Sequence, residues 1–124
     1  DEIVVADTGS VDDSPDVADA AGARLVRHAW RGDFAAARNA ALDAATGDWI
    51  LYIDADERLD AWDRATLDPL LGDASVLGIT VTFRPQTGYT RYREHRLFRR
   101  RPDVRFRGVI HESIRPDLDA AVAR

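Results

Sequence analysis

Cysteine and lysine are both missing from this 124-residue sequence. Without cysteine there can be no disulfide framework, no thiolate metal site and no cysteine nucleophile. All 17 basic residues are arginine, a pattern read here as codon bias in a GC-rich genome more than as chemistry. No segment approaches the ~20 apolar residues needed to span a bilayer. Positive charge is in deficit as well: a net charge of -5 gives no general reason to expect nucleic acid, because proteins that neutralise many phosphates carry a basic surplus. The first residue is Asp1, with neither a methionine nor the charged-then-apolar pattern of a signal peptide. The chain therefore reads as an excerpt from a longer protein, and the expected compartment is the cytoplasm.

What is present suits one soluble domain over residues 1–124. A hydrophobic content of 45% is ample for a single core, and the 31% of charged residues are spread along the chain, unlike a disordered tail. One stretch is locally basic. Between Arg91 and Arg107 eight arginines face two acids, Glu94 and Asp103, so this part of the last third could face an anion.

The β-branched run Ile3, Val4, Val5, Ala6 predicts a parallel strand buried on both faces, ended by turn residues from Asp7 to Asp13. Ser14 before Pro15 and Asp16 predicts an N-cap with proline at the first helical position, and a helix running to about Ala21 and stopping at Gly22. Ala23 to Arg27 reads as the next strand. Phe34, Ala37, Ala41, Leu42 and Ala45 recur at helical spacing in an alanine-rich stretch that Gly47 ends. Trp49 to Ile53 predicts another buried strand, and Ala61 to Leu71 a helix. Two strands, Leu77 to Arg84 and Thr90 to Phe98, then flank the turn signal Pro85, Gln86, Thr87, Gly88. Strand and helix alternate through the first two-thirds and strand dominates the last third. The expected fold class is α/β: a mostly parallel, Rossmann-like sheet flanked by helices, with an antiparallel hairpin extension.

Asp54 and Asp56 sit just past the carboxyl end of the Trp49–Ile53 strand, where open α/β sheets bind ligands. Their carboxylates are hard donors that suit magnesium or manganese, with substrate phosphates filling the remaining positions. Asp-x-Asp also opens turns and caps following segments. Glu57 and Asp60 raise the negative density, so four carboxylates within seven residues repel one another unless a cation or an arginine offsets them.

Five segments taken in order, IVVADTGSVDDS, DFAAARNAAL, GDWILYIDADERL, HRLFRR and FRGVIHE, resemble the donor half of family 2 glycosyltransferases of the GT-A fold. The resemblance covers Ile3 to Glu112. It implies inverting transfer of a sugar from a nucleoside-diphosphate donor, a UDP-sugar first among them, to an acceptor it does not identify. It further implies that Asp7, Thr8, Gly9 and Ser10 contact the nucleoside, with Gly9 supplying permissive backbone. Arg38 and Asn39 match the pair that reaches the nucleotide or its phosphates, while Trp30 and Asp33 resemble the loop that closes over the donor. Asp54 and Asp56 match the metal motif and would hold Mn2+ or Mg2+. Arg96, Arg99 and Arg100 resemble the basic segment beside the pyrophosphate, although strand alternation sets Arg99 and Arg100 on opposite faces. His111 and Glu112 match a late His-Glu pair: Glu112 is the candidate base for the acceptor's proton, and His111 a further metal ligand or a donor to the diphosphate.

The family pattern begins with a strand and an Asn-Glu-bearing loop that this sequence lacks, and its acceptor-selecting region is absent or reduced to Ile114 to Arg124. A missing central strand leaves backbone groups unpaired at about 1 to 3 kcal/mol each. The expectation is that flanking strands pair directly or that a second copy, in a homo-oligomer, contributes β-structure. Two other functions compete: a non-catalytic nucleotide-sugar-binding or assembly fragment, and a phosphohydrolase of the haloacid dehalogenase type with Asp54 as nucleophile. The latter type wants Thr or Val soon after the second acid and a downstream lysine, whereas Glu57 and Arg58 follow here and lysine is missing.

Overall fold

Residues 1–60, 63–84 and 92–123 are described by the computed structural model. Their elements in chain order are β1 (Val4–Asp7), α1 (Ser14–Ala20), β2 (Arg24–Arg27), α2 (Phe34–Ala44), β3 (Trp49–Leu51), α3 (Arg64–Gly72), β4 (Gly78–Phe83), β5 (Tyr92–Arg99) and α4 (Arg115–Val122). They fall into two units, Asp1–Gly47 with Pro102–Ala123, and Asp48–Arg101. The result is the expected mixed α/β class, with a parallel pair of strands, an antiparallel sheet and flanking helices. The turn at Pro85–Gly88, the strand start at Thr90 and the helix start at Ala61 lie outside the described residues.

In the first unit β1 runs parallel to β2, in register from Val4 opposite Arg24 to Asp7 opposite Arg27. The strand is half-buried rather than buried on both faces, with only Asp7 fully enclosed. Helix α1 starts one residue earlier than the sequence suggests. Ser14 is its first helical residue, and Asp13, at the N-cap position, makes no side-chain cap bond. The reason is local competition: Asp12 Oδ1 already accepts the Ser14 N–H at 3.0 Å, and short polar side chains vie for the same first-turn donors. Gly22, with φ of 77°, ends the helix as expected.

Helix α2 is capped by Asp33, whose Oδ1 accepts the Ala36 N–H at 2.9 Å. It ends at Ala44, with Ala45 already extended, before the expected stop at Gly47. Glu2 fixes this end by accepting from the backbone N–H groups of Thr46 and Gly47 and from the Thr46 hydroxyl. The core of the unit joins Ala35, Ala37 and Leu42 of α2 with Val104, Phe106 and Ile114, and with Leu118 and Ala121 of α4. Ile114 and Val104 are fully buried, each supplying about 1.5 to 3 kcal/mol of apolar burial.

In the second unit β5 is the central strand, antiparallel to β3 on one side and β4 on the other. Phe98 of β5 is fully buried and touches Tyr52 edge-on, 6.3 Å between ring centroids. The β4–β5 ladder slips at Ile79/Thr80: Ile79 faces Leu97, but Thr80 faces His95, which leaves Arg96 as a bulged residue. The bulge explains why β3 is shorter than the expected Trp49–Ile53. Regular pairing stops at Leu51 opposite Leu97, and Tyr52 then donates its N–H to the Arg96 carbonyl at 3.1 Å. Asp63 caps α3 by accepting from Ala65 and Thr66, and the helix runs from Arg64. Among the described residues no helix is long and apolar enough to cross a membrane.

Candidate functional site

Most of the residues singled out by sequence fall into three local constellations, two in the first unit and one in the second. The first follows β1. Asp7 is almost completely enclosed, and its Oδ1 accepts the Ser10 N–H at 3.0 Å, closing a turn across Thr8 and Gly9. Gly9 has φ of 110°, a conformation that a side chain would strain. Arg27, opposite Asp7 on β2, holds Nη1 3.6 Å from Asp7 Oδ2. Hydrogen bonds from the Ser10 hydroxyl and N–H, and then the Arg27 charge, keep the Asp7 carboxyl below its usual range. The turn is thus built around an ionised acid at the carboxyl end of a parallel strand.

The second constellation lies on α2 and the segment between Phe106 and Ser113. Successive positions of α2 do different jobs. Arg38 donates from Nε to Glu112 Oε1 at 2.5 Å, with its guanidinium carbon 5.6 Å from the Phe106 ring centroid. Asn39 spends both ends of its amide on the Phe106 backbone, donating to its carbonyl and accepting its N–H, each at 3.0 Å. A reciprocal backbone pair between Arg107 and Ser113, both bonds 2.9 Å, closes the loop that carries His111 and Glu112. Gly108 at φ of 100° and His111 at φ of 57° bend that loop. The left-handed conformation costs a non-glycine residue about 1 to 2 kcal/mol, and it leaves His111 exposed to solvent. Phe34 donates its N–H to the Val109 carbonyl at 3.1 Å and meets Trp30 edge-on at 4.8 Å. Trp30, Phe34, Val109 and Ile110 are all exposed. Asp33 has its side chain committed to the helix cap.

The third constellation is the acidic turn beyond β3. Asp54 donates its N–H to Glu57 Oε2 at 2.7 Å, and Glu57 returns its own N–H to the Asp54 carbonyl at 2.9 Å. Glu57 also grips Arg96 with both oxygens, at 3.0 and 2.9 Å. Arg96 reaches Glu94 through Nε at 2.9 Å and comes within 3.5 Å of Asp54 Oδ2. Its guanidinium lies between the Tyr52 and Phe83 rings, 4.5 and 4.6 Å from their centroids. Burial works against the Arg96 charge, but Tyr52, Glu57, Glu94 and Asp54 outweigh it and hold the proton more tightly than usual. Arg84 pairs with Asp60 at 3.1 Å. The repulsion expected among Asp54, Asp56, Glu57 and Asp60 is therefore offset by arginines, so charge density alone is no argument for a cation here.

Asp54 remains about one-third exposed and Asp56 is exposed outright. Among the described residues no three acidic or histidine side chains form a ready-made metal cage. Asp54 and Asp56 are hard oxygen donors of the kind that magnesium and manganese take, together with several waters and substrate phosphates. Sequence reasoning missed the part of Glu57, which braces the turn; the signal was its acidic neighbourhood and the buried-strand arginine that had to be neutralised.

Arg96 and Arg99 part company. Arg96 belongs to the acidic turn, whereas Arg99 is paired with Trp49 at the other end of β3 and stacks on its ring at 4.6 Å. Arg99 donates to the carbonyls of Val76, Leu71 and Asp73. A cavity of about 510 Å³ opens at that end, lined by Arg64, Asp68, Arg99, Arg100 and Arg101 among others.

The family model described as "Glycosyl transferase family 2" matches residues 1–116. A TPR repeat-containing protein of Synechococcus elongatus is 48% identical over 122 residues, which is 95% of this chain and 30% of that protein. The SPbeta prophage-derived glycosyltransferase SunS of Bacillus subtilis is 30% identical over 117 residues, 90% of this chain and 28% of its own length. The lipopolysaccharide core biosynthesis glycosyltransferase LpsC of Rhizobium meliloti is 36% identical over 138 residues, 99% of this chain and 51% of its own length. The chain thus spans less than a third of the first two relatives.

Proposed function

The chain belongs to glycosyl transferase family 2, and from that membership we propose that residues 1–124 form the nucleotide-sugar-binding domain of an inverting, metal-dependent glycosyltransferase. The donor is a nucleoside-diphosphate sugar, UDP-sugar first, and the location cytoplasmic. The observation that carries the reading is the Asp54–Asp56 turn: two carboxylates, one partly and one fully exposed, just past the carboxyl end of β3.

In this reading the Asp7–Ser10 turn receives the nucleoside. Its rigid geometry, closed by the Ser10 N–H, offers backbone groups that need no reorganisation on binding. Asp54 and Asp56 would hold Mn2+ or Mg2+. Once bound, such a cation neutralises charge on the departing diphosphate. Arg38 orients the Glu112 carboxylate through the 2.5 Å contact. Glu112 accepts the proton of the acceptor hydroxyl as its oxygen bonds to the anomeric carbon and the bond to the diphosphate oxygen breaks. One new glycosidic bond replaces one sugar–phosphate bond, and the nucleoside diphosphate carries away the electron pair.

Calorimetric titration with UDP, dTDP, GDP and their sugars, with and without Mn2+, tests the proposal. Metal-dependent binding of one of them is expected, lost in Asp54→Asn and Asp56→Asn. Absence of metal-dependent binding to all of them would reject donor binding by this chain.

A further inference from the structure

Arg96 occupies a position that ordinary strand geometry would not give it. The β4–β5 ladder skips it, and the resulting bulge leaves Arg96, Leu97 and Phe98 buried in succession on the central strand. Bulges re-aim side chains and are common beside functional sites. Here the re-aimed guanidinium is packed between two rings and meets carboxylates from two directions, Glu94 on its own strand and Glu57 from the acidic turn, 39 residues earlier in sequence.

The geometry divides the carboxylates into two sets. Glu57 has both oxygens on Arg96, and Oε2 is shared with the Asp54 N–H; it is turned inward and braces the backbone of the turn. Asp54 pairs with the guanidinium at the longer distance of 3.5 Å, and Asp56 makes no hydrogen bond or ion pair among the described residues. One fixed cation therefore neutralises Glu57 through two hydrogen bonds and meets Asp54 at a longer distance, while Asp56 stays exposed. A fork of five N–H donors can do this and a point charge cannot.

We propose that Arg96 is a positioning residue for the cation site: through Glu57 it holds the Asp54–Asp56 turn in the shape that presents two aspartates, and it keeps Glu57 from becoming a third ligand. The proposal rests on the reading of Asp54 and Asp56 as cation ligands.

Two readouts test it, Mn2+ affinity of the purified chain by water-proton relaxation and hydrogen exchange of the Asp54 amide. Outer-shell partners of metal ligands are worth about 10- to 100-fold in affinity, so Arg96→Lys is expected to weaken Mn2+ by about tenfold or more and to speed Asp54 exchange. Glu57→Gln, which keeps an acceptor for the Asp54 N–H but gives up the ion pair, lies between native and Arg96→Lys on both scales and serves if Arg96→Lys fails to fold. Glu94→Gln removes the charge partner of Arg96 Nε but leaves the Glu57 fork on Nη1 and Nη2 in place; it lowers the melting temperature but leaves Mn2+ affinity within about twofold. Native Mn2+ affinity and native Asp54 protection in Arg96→Lys or Glu57→Gln, alongside lost Mn2+ binding in Asp54→Asn, overturns the positioning role alone. Unchanged Mn2+ binding in Asp54→Asn overturns the cation reading, and this proposal with it.

Discussion

Asn39 and Phe106 are locked by two hydrogen bonds of 3.0 Å, the side-chain amide donating to the Phe106 carbonyl and accepting the Phe106 N–H. The pair spans 67 residues of sequence and mimics one rung of a β-ladder, with α2 supplying the partner that the buried backbone at Phe106 would otherwise lack. Truncation leaves a donor and an acceptor unsatisfied, each costing about 1 to 3 kcal/mol. Asn39→Ala is accordingly expected to lower unfolding free energy by about 2 to 4 kcal/mol in urea titrations. Asn39→Asp, which loses the donor and sets a carboxylate against a carbonyl, should do no better. A near-native urea midpoint in Asn39→Ala would show that the clamp contributes little and would return Asn39 to the nucleotide-contacting role that its family position implies.

Arg38, one residue earlier, holds Glu112. If Glu112 takes the acceptor's proton, Glu112→Gln keeps the shape and one acceptor for Arg38 but cannot act as the base. General-base removal is worth about 10²- to 10⁴-fold, so turnover of the parent enzyme should fall in that range while donor affinity of this chain stays within about twofold. Steady-state rates and calorimetry on the same variant separate the two. Equal losses in both would mark Glu112 as a strut for the loop and leave the base elsewhere.

The element order was legible because it depends on local chemistry: the β-branched run through Val4 and Val5, the alanine-rich α2 capped by Asp33, and the stop at Gly22. The start of α1 was less legible, since Asp12, Asp13 and Ser14 are near-equivalent caps and only the structure shows which takes the donor. The fate of the arginines was not legible at all. Strand alternation separates Arg99 from Arg100, but it cannot foresee a bulge at Arg96, and the match of Arg96 with Glu57 depends on pairing between distant strands. The Asp7 turn was readable from Asp-Thr-Gly-Ser, yet the Arg27 contact follows from the β1–β2 register. What the chain states in neighbouring residues can be read from it; what depends on register cannot.

Acid stability offers a check on the end of α2. Glu2 accepts from Thr46 and Gly47 and pairs with Arg24 at 3.2 Å. The backbone and hydroxyl bonds of Thr46 are the main reason its carboxyl falls from 4.5 to about 2. A group that is harder to protonate in the folded state adds stability above its unfolded value, and that contribution fades as pH drops toward the folded one. The window is thus from 4.5 down to about 2. Glu2→Gln should melt below the native chain at neutral pH, by a gap that is constant above about pH 5 and closes toward about pH 2. A gap that stays constant across this range would mean that the Glu2 charge is not what secures Thr46 and Gly47.

Arg99 separates a structural role from the pyrophosphate role its family position implies. Its Nε meets the Val76 carbonyl at 2.8 Å, and Nη2 meets those of Leu71 and Asp73 at 3.0 and 2.8 Å. Leu71 also accepts from the Trp49 indole at 3.2 Å, and Trp49 in turn carries the guanidinium on its face. One side chain thereby satisfies carbonyls left over at the end of α3, which a helix cannot satisfy internally. Hydrogen bonds from charged groups are worth about 1.5 to 3 kcal/mol, so Arg99→Ala should cost at least about 2 kcal/mol in urea denaturation. Arg99→Lys should recover only part, because an ammonium neither brackets three carbonyls nor stacks as a flat plate. The structural role predicts donor affinity unchanged in both variants at temperatures where the fold is intact. Weaker donor binding in Arg99→Lys, without a matching loss of stability, would instead place the pyrophosphate beside this end of β5.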